Sequence, residues 1–307
     1  MTGGAGYLGL NVVHYLDPVS QPGNPNPTEV IVLDTQSAPE GYLNNFGVTF
    51  HDQIMVRFVE GDVCDFAEVR RLAEQVDVIF HLAFVVGGPA CKSNPDKATR
   101  LALVGTENVV RAAQGKMIVF SSSDAVYGNE ANGLCNEDTP CHPASLYGQL
   151  KLQCEEIVKA SPEYCILRLP SNFGVSAAMR WDNLVHYLFK QLSERGNVSI
   201  SDPQITRTLI DVRDAARAFN FVLDNQEKTS GKTFHVASGA WTKREIAETI
   251  VRIIGGTIVY DQTFIDPDAR NFTLDCSAIK QIGWYPKFSL EDGIRCLQAN
   301  LTSTRDK

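Results

Sequence analysis

The chain has 307 residues, 44% of them hydrophobic and 21% charged, which is the balance of an ordinary globular protein with one large domain or two closely joined ones. No apolar run approaches about 18 residues and no basic start leads into an apolar stretch, so we expect a cytoplasmic protein without a membrane span or a secretory signal. The net charge of −8 argues against broad affinity for nucleic acid or membrane surfaces.

Short β-branched apolar runs alternate with amphipathic stretches along the first half of the chain. The predicted strands are 29–33, 57–61, 76–82, 116–122 and 164–169. The predicted helices lie between them, near 65–75, 95–114 and 144–160. Strands that are apolar throughout and separated by helices are typical of a parallel sheet covered on both faces. We therefore expect an α/β fold with a Rossmann-type, doubly wound parallel sheet.

The pattern is looser after about residue 170, where we expect a smaller C-terminal substrate lobe. The predicted elements there are a helix near 181–194, strands at 206–212 and 233–238, and a helix near 242–254. We assign residues 1–170 to the Rossmann domain and 171–307 to the substrate lobe. The two are interleaved, because the strands at 206–212 and 233–238 are expected to join the large sheet. The proline-containing segment from Asp17 to Thr28 is predicted to be an exposed loop.

Eight cysteines are scattered along the chain without a C-x-x-C pair, and no histidines accompany them at the spacing of zinc ligands. We expect free thiols and no metal site. A disulfide between Cys135 and Cys141, which lie close in sequence, is the less favoured alternative.

The chain opens with the glycine-rich sequence TGGAGYLG, in which Gly3, Gly6 and Gly9 have the spacing G-x-x-G-x-x-G. Such a loop turns tightly and lets the backbone approach a pyrophosphate. The helix that follows, which Tyr7 and Leu8 begin, presents free N–H groups to the phosphates. Glycine-rich turns are common, so the pattern alone also fits an ordinary turn.

Two carboxylates follow at strand ends. Asp34 ends the next strand, where a carboxylate accepts both ribose hydroxyls and repels a 2′-phosphate, which favours NAD over NADP. Without that context it would be an aspartate of a turn or a helix cap. Asp62 and Val63 close the third strand, in a position suited to holding adenine.

The glycine loop should follow a strand, yet only Met1 and Thr2 precede it. The innermost strand of the sheet is therefore almost missing from the sequence. We expect a truncated chain or a start codon placed too late, and both explanations stay open.

A serine, a tyrosine and a lysine form the candidate catalytic set. Ser121 and Ser123 lie at the end of a predicted strand in FSSSDAVYG, and Tyr147 and Lys151 form a Y-x-x-x-K pair on a predicted helix. The spacing of four places phenol and ammonium on one helix face. A nearby cation lowers a tyrosine pKa, as a general base near neutral pH requires. A serine hydroxyl on the neighbouring strand can hydrogen-bond the oxygen that exchanges the proton.

These motifs together resemble the extended short-chain dehydrogenases/reductases, the NAD-dependent epimerase/dehydratase family that includes UDP-galactose 4-epimerase. The resemblance runs nearly end to end through TGGAGYLG, GDV, HLA, SSSDAVYG, YGQLK, LRLPSNFG and GWYP. It implies that Ser123, Tyr147 and Lys151 are the catalytic residues and that NAD is the cofactor. The resemblance further implies cofactor contacts at Leu82, Ala83, Ser121 and Pro170, with His81 either beside the cofactor or simply a core histidine.

The resemblance also implies a nucleotide-diphosphate sugar as substrate. The implied substrate contacts are Val86, Gly87, Ser123, Asn172, Arg207 and Arg270. As single residues, Arg207 and Arg270 would be read as surface charges. Family members commonly form homodimers through two helices, one of which corresponds to 144–160. Leu150, Ile157 and Val158 provide apolar positions there, although they could equally face their own sheet.

Departures from the family pattern reduce the number of family reactions that we expect of this chain. Family dehydratases carry an Asp-Glu pair after the catalytic hydroxyl, whereas here Asp124 is followed by Ala125, which makes dehydration unfavourable. Phe84 replaces the usual small residue after HLA. The leading expectation is epimerisation at C4 of the sugar through a transient keto-sugar, with NAD retained. The alternatives are a nucleotide-sugar ketoreductase or dehydrogenase with net redox, and a non-catalytic dinucleotide-binding scaffold.

Overall fold

The structure, a computed structural model, describes residues 1–16, 28–36, 54–129, 131–261 and 270–305. Residues 17–27 of the predicted exposed loop lie outside the described residues, and Thr28, its last residue, begins a strand. Among the helices of the described ranges, none is long and apolar enough to cross a membrane. All eight cysteines lie in these ranges and all are free thiols.

The first half of the chain forms alternating strands and helices close to the predicted positions. The elements are α1 (Tyr7–Tyr15), β1 (Thr28–Asp34), β2 (Ile54–Glu60), α2 (Phe66–Ala73), β3 (Val78–His81), α3 (Gly88–Ser93), α4 (Pro95–Ala113), β4 (Met117–Ser123), a 3-10 turn (Asp124–Tyr127), β5 (Asn132–Cys135), α5 (Leu146–Lys159) and β6 (Tyr164–Leu169).

The second half contains shorter strands between helices. The elements are β7 (Ser171–Phe173), α6 (Leu184–Arg195), β8 (Asn197–Ile200), β9 (Thr206–Asp211), α7 (Val212–Asp224), α8 (Gln226–Thr229), β10 (Lys232–His235), β11 (Gly239–Thr242), α9 (Lys243–Ile254), β12 (Thr257–Tyr260), β13 (Asn271–Leu274), α10 (Ser277–Gln281) and α11 (Leu290–Arg305).

Several of these helices are capped at their N-termini by side chains of nearby residues. The Asp65 carboxylate accepts hydrogen bonds from the backbone N–H groups of Ala67 and Glu68 at the start of α2. Ser145 caps α5 by accepting from the N–H of Gly148 at 3.1 Å. At α9, Thr242 and Glu245 form a reciprocal capping box. Because these side chains satisfy N–H groups that the helix itself leaves unpaired, the helix starts agree with the sequence pattern.

The large sheet is parallel and has the order β10-β6-β4-β3 on one side and β1-β2 on the other. Thr2 joins the two sides through parallel bridges to Leu33 of β1 and His81 of β3. The N–H of Thr2 donates to the Phe80 carbonyl at 2.9 Å, and the N–H of Leu33 donates to the Met1 carbonyl at 2.8 Å. Residues 1 and 2 therefore occupy the place of a central strand, directly before the glycine loop.

The strand predicted at 206–212 does not join this sheet, and that part of the prediction is wrong. It forms β9, which pairs with β7 and β11 in a separate three-stranded sheet. The chain leaves the large sheet at Pro170, which has no N–H to continue the ladder beyond β6. The strand expected near 233–238 forms β10 at the edge of the large sheet, parallel to β6. The division of the chain at residue 170 stays a prediction.

Apolar residues cover both faces of the large sheet. One core contains Val12 and Val13 of α1 together with Phe219 and Val222 of α7. The core on the other face is built by α2, α4 and α5. Two of the three apolar positions considered for a dimer contact, Leu150 and Val158, are buried in this second core, so they pack against their own sheet. A third core holds the C-terminal lobe together around α6, α9 and α11.

Candidate active site

A cleft of about 1420 Å³ lies at the carboxyl ends of β1, β3, β4 and β6. Strands of a parallel sheet end at the same edge, so residues that are distant in sequence meet there. Most of the predicted site residues line it. They are Gly3, Gly6, Tyr7, Leu8, Gly9, Asp34, Val63, Leu82, Ala83, Val86, Gly87, Ser121, Ser123, Tyr147, Lys151, Pro170, Asn172 and Arg270.

The glycine loop has little room for side chains at two of its three predicted positions. A Cβ on Gly3, whose φ is +71°, would lie 2.5 Å from the backbone nitrogen of Ala83. A Cβ on Gly9 would lie 2.5 Å from the carbonyl oxygen of Gly3. Gly6, directly before α1, is exposed to the cleft and has no such conflict, because the nearest atom is 3.5 Å away. The loop thus presents bare backbone and a helix N-terminus to the cleft, which fits a pyrophosphate.

Asp34 is held at the cleft wall by backbone groups. Its two carboxylate oxygens accept hydrogen bonds from the N–H of Ala5 at 3.0 Å and the N–H of Gln36 at 3.2 Å. The carboxylate therefore stands beside the glycine loop, where the ribose of a dinucleotide attached to that loop would lie. With the glycine backbone, this arrangement fits NAD.

Asp62 does not appear among the cleft-lining residues, unlike its neighbours Gly61 and Val63. Its carboxylate accepts from the N–H of Cys64 at 2.8 Å and pairs with Arg100 at 3.2 Å. The side chain thus stabilises the turn after β2. Its predicted contact with adenine stays a prediction.

Helix α5 presents the phenol and the ammonium of the Y-x-x-x-K pair to the end of β4. The Lys151 ammonium is buried and donates to the Ser121 carbonyl at 2.5 Å. Tyr147 lies near enough to Ser123 for the serine hydroxyl to affect its pKa. The ring of Phe84 packs edge-on against the Tyr147 ring, with 5.7 Å between centres, and lies 3.7 Å from the Lys151 ammonium. The three predicted catalytic residues therefore meet at the cleft wall.

The protonation of this cluster differs from the sequence-based expectation. Burial raises the pKa of Tyr147 to about 12, although the hydrogen bond with Ser123 and the charge of Arg180 oppose the rise. Burial also lowers the pKa of Lys151 to about 8. The pKa of Tyr147 is thus raised and not lowered, and Lys151 is not among the groups that shift it most. The ammonium is 5.9 Å from the centre of the Tyr147 ring, and it donates to the Ser121 carbonyl instead.

His81 has a structural environment. Its ring nitrogens lie 2.7 Å from the Thr2 hydroxyl and 2.9 Å from the Thr106 hydroxyl. Burial and the charge of Lys151 lower its pKa to about 3, so the ring is neutral near pH 7. His81 thus joins the glycine-loop segment to α4 beneath the cleft.

Asn172 and Arg270, two of the predicted substrate contacts, also line the cleft. The side-chain oxygen of Asn172 is buried and has no hydrogen-bond partner. An orphaned acceptor in a cleft is a candidate ligand contact. Arg270 forms an ion pair with Asp124 at 2.8 Å. Arg207 does not appear among the lining residues; its guanidinium donates to the backbone carbonyl of Arg270.

Arg180 and Phe84 also line the cleft, although the sequence analysis assigned a role to neither. The Arg180 guanidinium pairs with Asp182 at 2.6 Å and lies 3.4 Å from where a Cβ on Gly87 would stand. Arg180 belongs to an irregular loop. No helix or strand periodicity could therefore predict that its side chain lies in the cleft. Phe84 departs from the family pattern, which has a small residue at this position. That departure was the sequence signal that could have marked Phe84 as part of the site.

A Rossmann-type sheet with a glycine loop, and a serine, a tyrosine and a lysine at its carboxyl edge, define a short-chain dehydrogenase/reductase. Residues 1–237 match the model of the NAD dependent epimerase/dehydratase family. The chain therefore belongs to this family, and its cofactor is NAD.

Its relatives carry out more than one reaction. The low-salt glycan biosynthesis protein Agl12 of Haloferax volcanii is 28% identical over 96% of this chain and 95% of its own. A putative UDP-glucose 4-epimerase of Methanocaldococcus jannaschii is 26% identical with the same coverage. The dTDP-glucose 4,6-dehydratase DesIV of Streptomyces venezuelae, solved with NAD bound, has a TM-score of 0.81, 25% identity, and coverage of 98% of this chain and 97% of its own.

Proposed function

We propose that this protein is an NAD-dependent nucleotide-sugar epimerase that inverts C4 of the hexose through a transient keto-sugar. The observation that carries the proposal is the meeting of Ser123, Tyr147 and Lys151 in one cleft with the glycine loop. Asn172, Arg180 and Arg270 supply a hydrogen-bond acceptor and two cations to the cleft, which suits a polar, anionic substrate such as a nucleotide-diphosphate sugar.

The protein's own groups account for the proton transfer. Tyr147, as phenolate, takes the proton of the sugar hydroxyl, and the Ser123 hydroxyl orients that oxygen. Lys151 would hold the ribose of the bound dinucleotide. When bound, NAD supplies the hydride acceptor and a positive ring charge that favours the phenolate. After the keto-sugar turns over, C4 takes back the hydride on its opposite face and Tyr147 returns the proton to the same oxygen. The product therefore has the same atoms as the substrate and the opposite configuration at C4.

The residues after Ser123 favour epimerisation over dehydration. Loss of water from a 4-keto sugar requires a base for one proton and an acid for the departing hydroxyl. The methyl group of Ala125 can do neither. Asp124 could serve as only one of the two, and its carboxylate is held in an ion pair by the Arg270 guanidinium at 2.8 Å. Ala125 and the ion-paired Asp124 therefore support a reaction without loss of water.

Mass spectrometry of the product tests the proposal. We expect UDP-glucose, dTDP-glucose or a related nucleotide hexose to give a product of unchanged mass and different chromatographic retention, without net consumption of NAD. A gain or loss of two hydrogens with stoichiometric turnover of the cofactor would identify the ketoreductase or dehydrogenase instead. Loss of one water would show that the site dehydrates. Tyr147→Phe is the matched control for chemistry that does not come from this site.

A further inference from the structure

Helix α5 contacts three consecutive serines of β4 through three side chains that are one turn apart. Tyr147 lies near Ser123 in the cleft, and Lys151 donates to the carbonyl of Ser121 at 2.5 Å. One turn further along, the carboxylate of Glu155 accepts a hydrogen bond from the hydroxyl of Ser122. The mechanism proposed above uses Tyr147, Ser123 and Lys151 and gives Glu155 no role.

Glu155 is anchored more firmly than a surface carboxylate. Its side chain is 0% exposed and forms a two-pronged ion pair with Arg168, whose Nε and Nη2 lie 3.0 and 2.7 Å from the two carboxylate oxygens. Two parallel N–H···O bonds fix both distance and orientation, which a single charge contact does not. The carboxylate therefore cannot move along the strand without breaking several bonds in a buried place.

Arg168 extends the anchor across the sheet. On neighbouring parallel strands, Arg168 of β6 stands opposite Ser122 of β4 on one side and His235 of β10 on the other. The guanidinium also donates to the Tyr127 hydroxyl at 2.6 Å, and this hydroxyl lies 2.5 Å from the His235 ring. Ser122 is thus the end of a buried polar row that crosses three strands and reaches helix α5 through Glu155.

A buried ion pair is a weak source of stability, because desolvation of both charges offsets their attraction and apolar residues often serve as well. Its directional bonds, in contrast, determine where the helix lies along the strand. We propose that Glu155 is a positioning residue, which holds α5 against β4 so that Tyr147 reaches Ser123 and Lys151 reaches Ser121. The inference rests on the proposed function, in which Tyr147, Ser123 and Lys151 serve the chemistry.

Three variants separate positioning from stability. Ser122→Ala removes the bond from the strand to Glu155 and leaves the ion pair intact. Glu155→Asp keeps the charge but withdraws the carboxylate by one methylene. Glu155→Leu with Arg168→Met replaces the pair by apolar residues, which restores stability relative to Glu155→Leu alone. Glu156→Asp makes the same shortening on the exposed face of the helix, where Glu156 pairs with Lys159, and serves as the control.

We expect Ser122→Ala and Glu155→Asp to lower kcat by about 10- to 100-fold with KM within about twofold, because misplacement of reacting groups by about 1 Å costs this much. The Leu/Met pair should regain its melting temperature and still lack normal kcat, and Glu156→Asp should behave as the wild type. Recovery of kcat together with melting temperature in the Leu/Met pair, or normal kcat in Ser122→Ala, would overturn the proposal.

Crystal structures of the wild type and of Ser122→Ala give a reading that does not depend on turnover. We expect the distance between the Lys151 ammonium and the Ser121 carbonyl to lengthen beyond hydrogen-bond range in the variant. An unchanged distance would contradict the positioning role. If the wild type turns over no nucleotide sugar, the proposed function fails, and the two structures still decide whether Glu155 and Ser122 set the position of the helix.

Discussion

At the scale of single residues, the site contains two ionisable side chains, Tyr147 and Lys151, whose charged forms are disfavoured by burial. Burial raises the pKa of Tyr147 to about 12 and lowers the pKa of Lys151 to about 8, so each group resists the ionised form that the proposed chemistry uses. For Lys151, the drop from 10.5 corresponds to roughly 3 kcal/mol at 1.36 kcal/mol per pKa unit. Such opposition between stability and function is common at catalytic sites.

Tyr147→Phe tests the role of the phenol. The substitution removes the proton-transfer group but keeps the ring that packs against Phe84. We expect normal folding, NAD affinity close to that of the wild type by calorimetry, and turnover lower by roughly 10²- to 10⁴-fold. A variant that kept most of its activity would rule out Tyr147 as the base. Tyr187→Phe, at a tyrosine 50% exposed outside the cleft, is a matched control.

At the scale of elements, the glycine loop needs glycine at Gly6 and at Gly9 for two different physical reasons. Gly9 is enclosed by backbone, since a Cβ there would lie 2.5 Å from both the Gly3 carbonyl oxygen and the Gly4 Cα. Gly6 has a φ of −81°, which any residue adopts, and it is open toward the cleft. Gly9 is therefore required by the packing of the loop onto itself, and Gly6 by the approach of a ligand.

Alanine substitutions at these two glycines should have opposite consequences. We expect Gly9→Ala to lower the melting temperature markedly, because two backbone segments would have to separate to admit the methyl group. Gly6→Ala should melt close to the wild type and lose NAD affinity by about tenfold or more, because its methyl group would stand where the pyrophosphate approaches. If calorimetry showed equal NAD affinity for Gly6→Ala and the wild type, the loop would not be the phosphate site.

At the scale of the whole molecule, buried histidines join parts of the fold that are far apart in sequence. His81 links Thr2 to Thr106, and His235 links Tyr127 to the backbone carbonyl of Asp275. Burial lowers the pKa of His81 to about 3 and that of His235 to about 4, from 6.5. In the unfolded chain both rings take up protons near pH 6.5, whereas the folded protein excludes these protons until pH 4 or below.

Acid should therefore unfold the protein from below pH 6.5. Above that value both rings are neutral in both states, and below it the unfolded state binds more protons, so the free energy of unfolding falls as the pH drops. Each histidine should contribute about 2 kcal/mol of this loss between pH 7 and pH 5. Urea unfolding at the two pH values measures it. His235→Gln should show a smaller loss than the wild type. A loss equal to that of the wild type would refute the assignment.

The sequence alone determined the features that depend on local spacing. The apolar runs and the amphipathic stretches between them predicted the parallel sheet with helices between its strands, because strands that are apolar on both faces need helices to cover each face. The spacing of four between Tyr147 and Lys151 places both on one helix face in any helix. The strand before Pro170, at 164–169, coincides with β6 because proline ends the ladder there.

Only the tertiary structure decided the features that depend on which distant segments meet. Sequence patterns describe the strand at 206–212 as apolar but carry no information about its partner, and it pairs with β7 and β11 outside the large sheet. Asp124 and Arg270 are an ion pair across 146 positions of the chain. The direction of the Tyr147 pKa shift followed from the depth of burial and not from the nearby lysine. Each outcome is set by long-range packing, since desolvation and pairing depend on neighbours that local spacing does not specify.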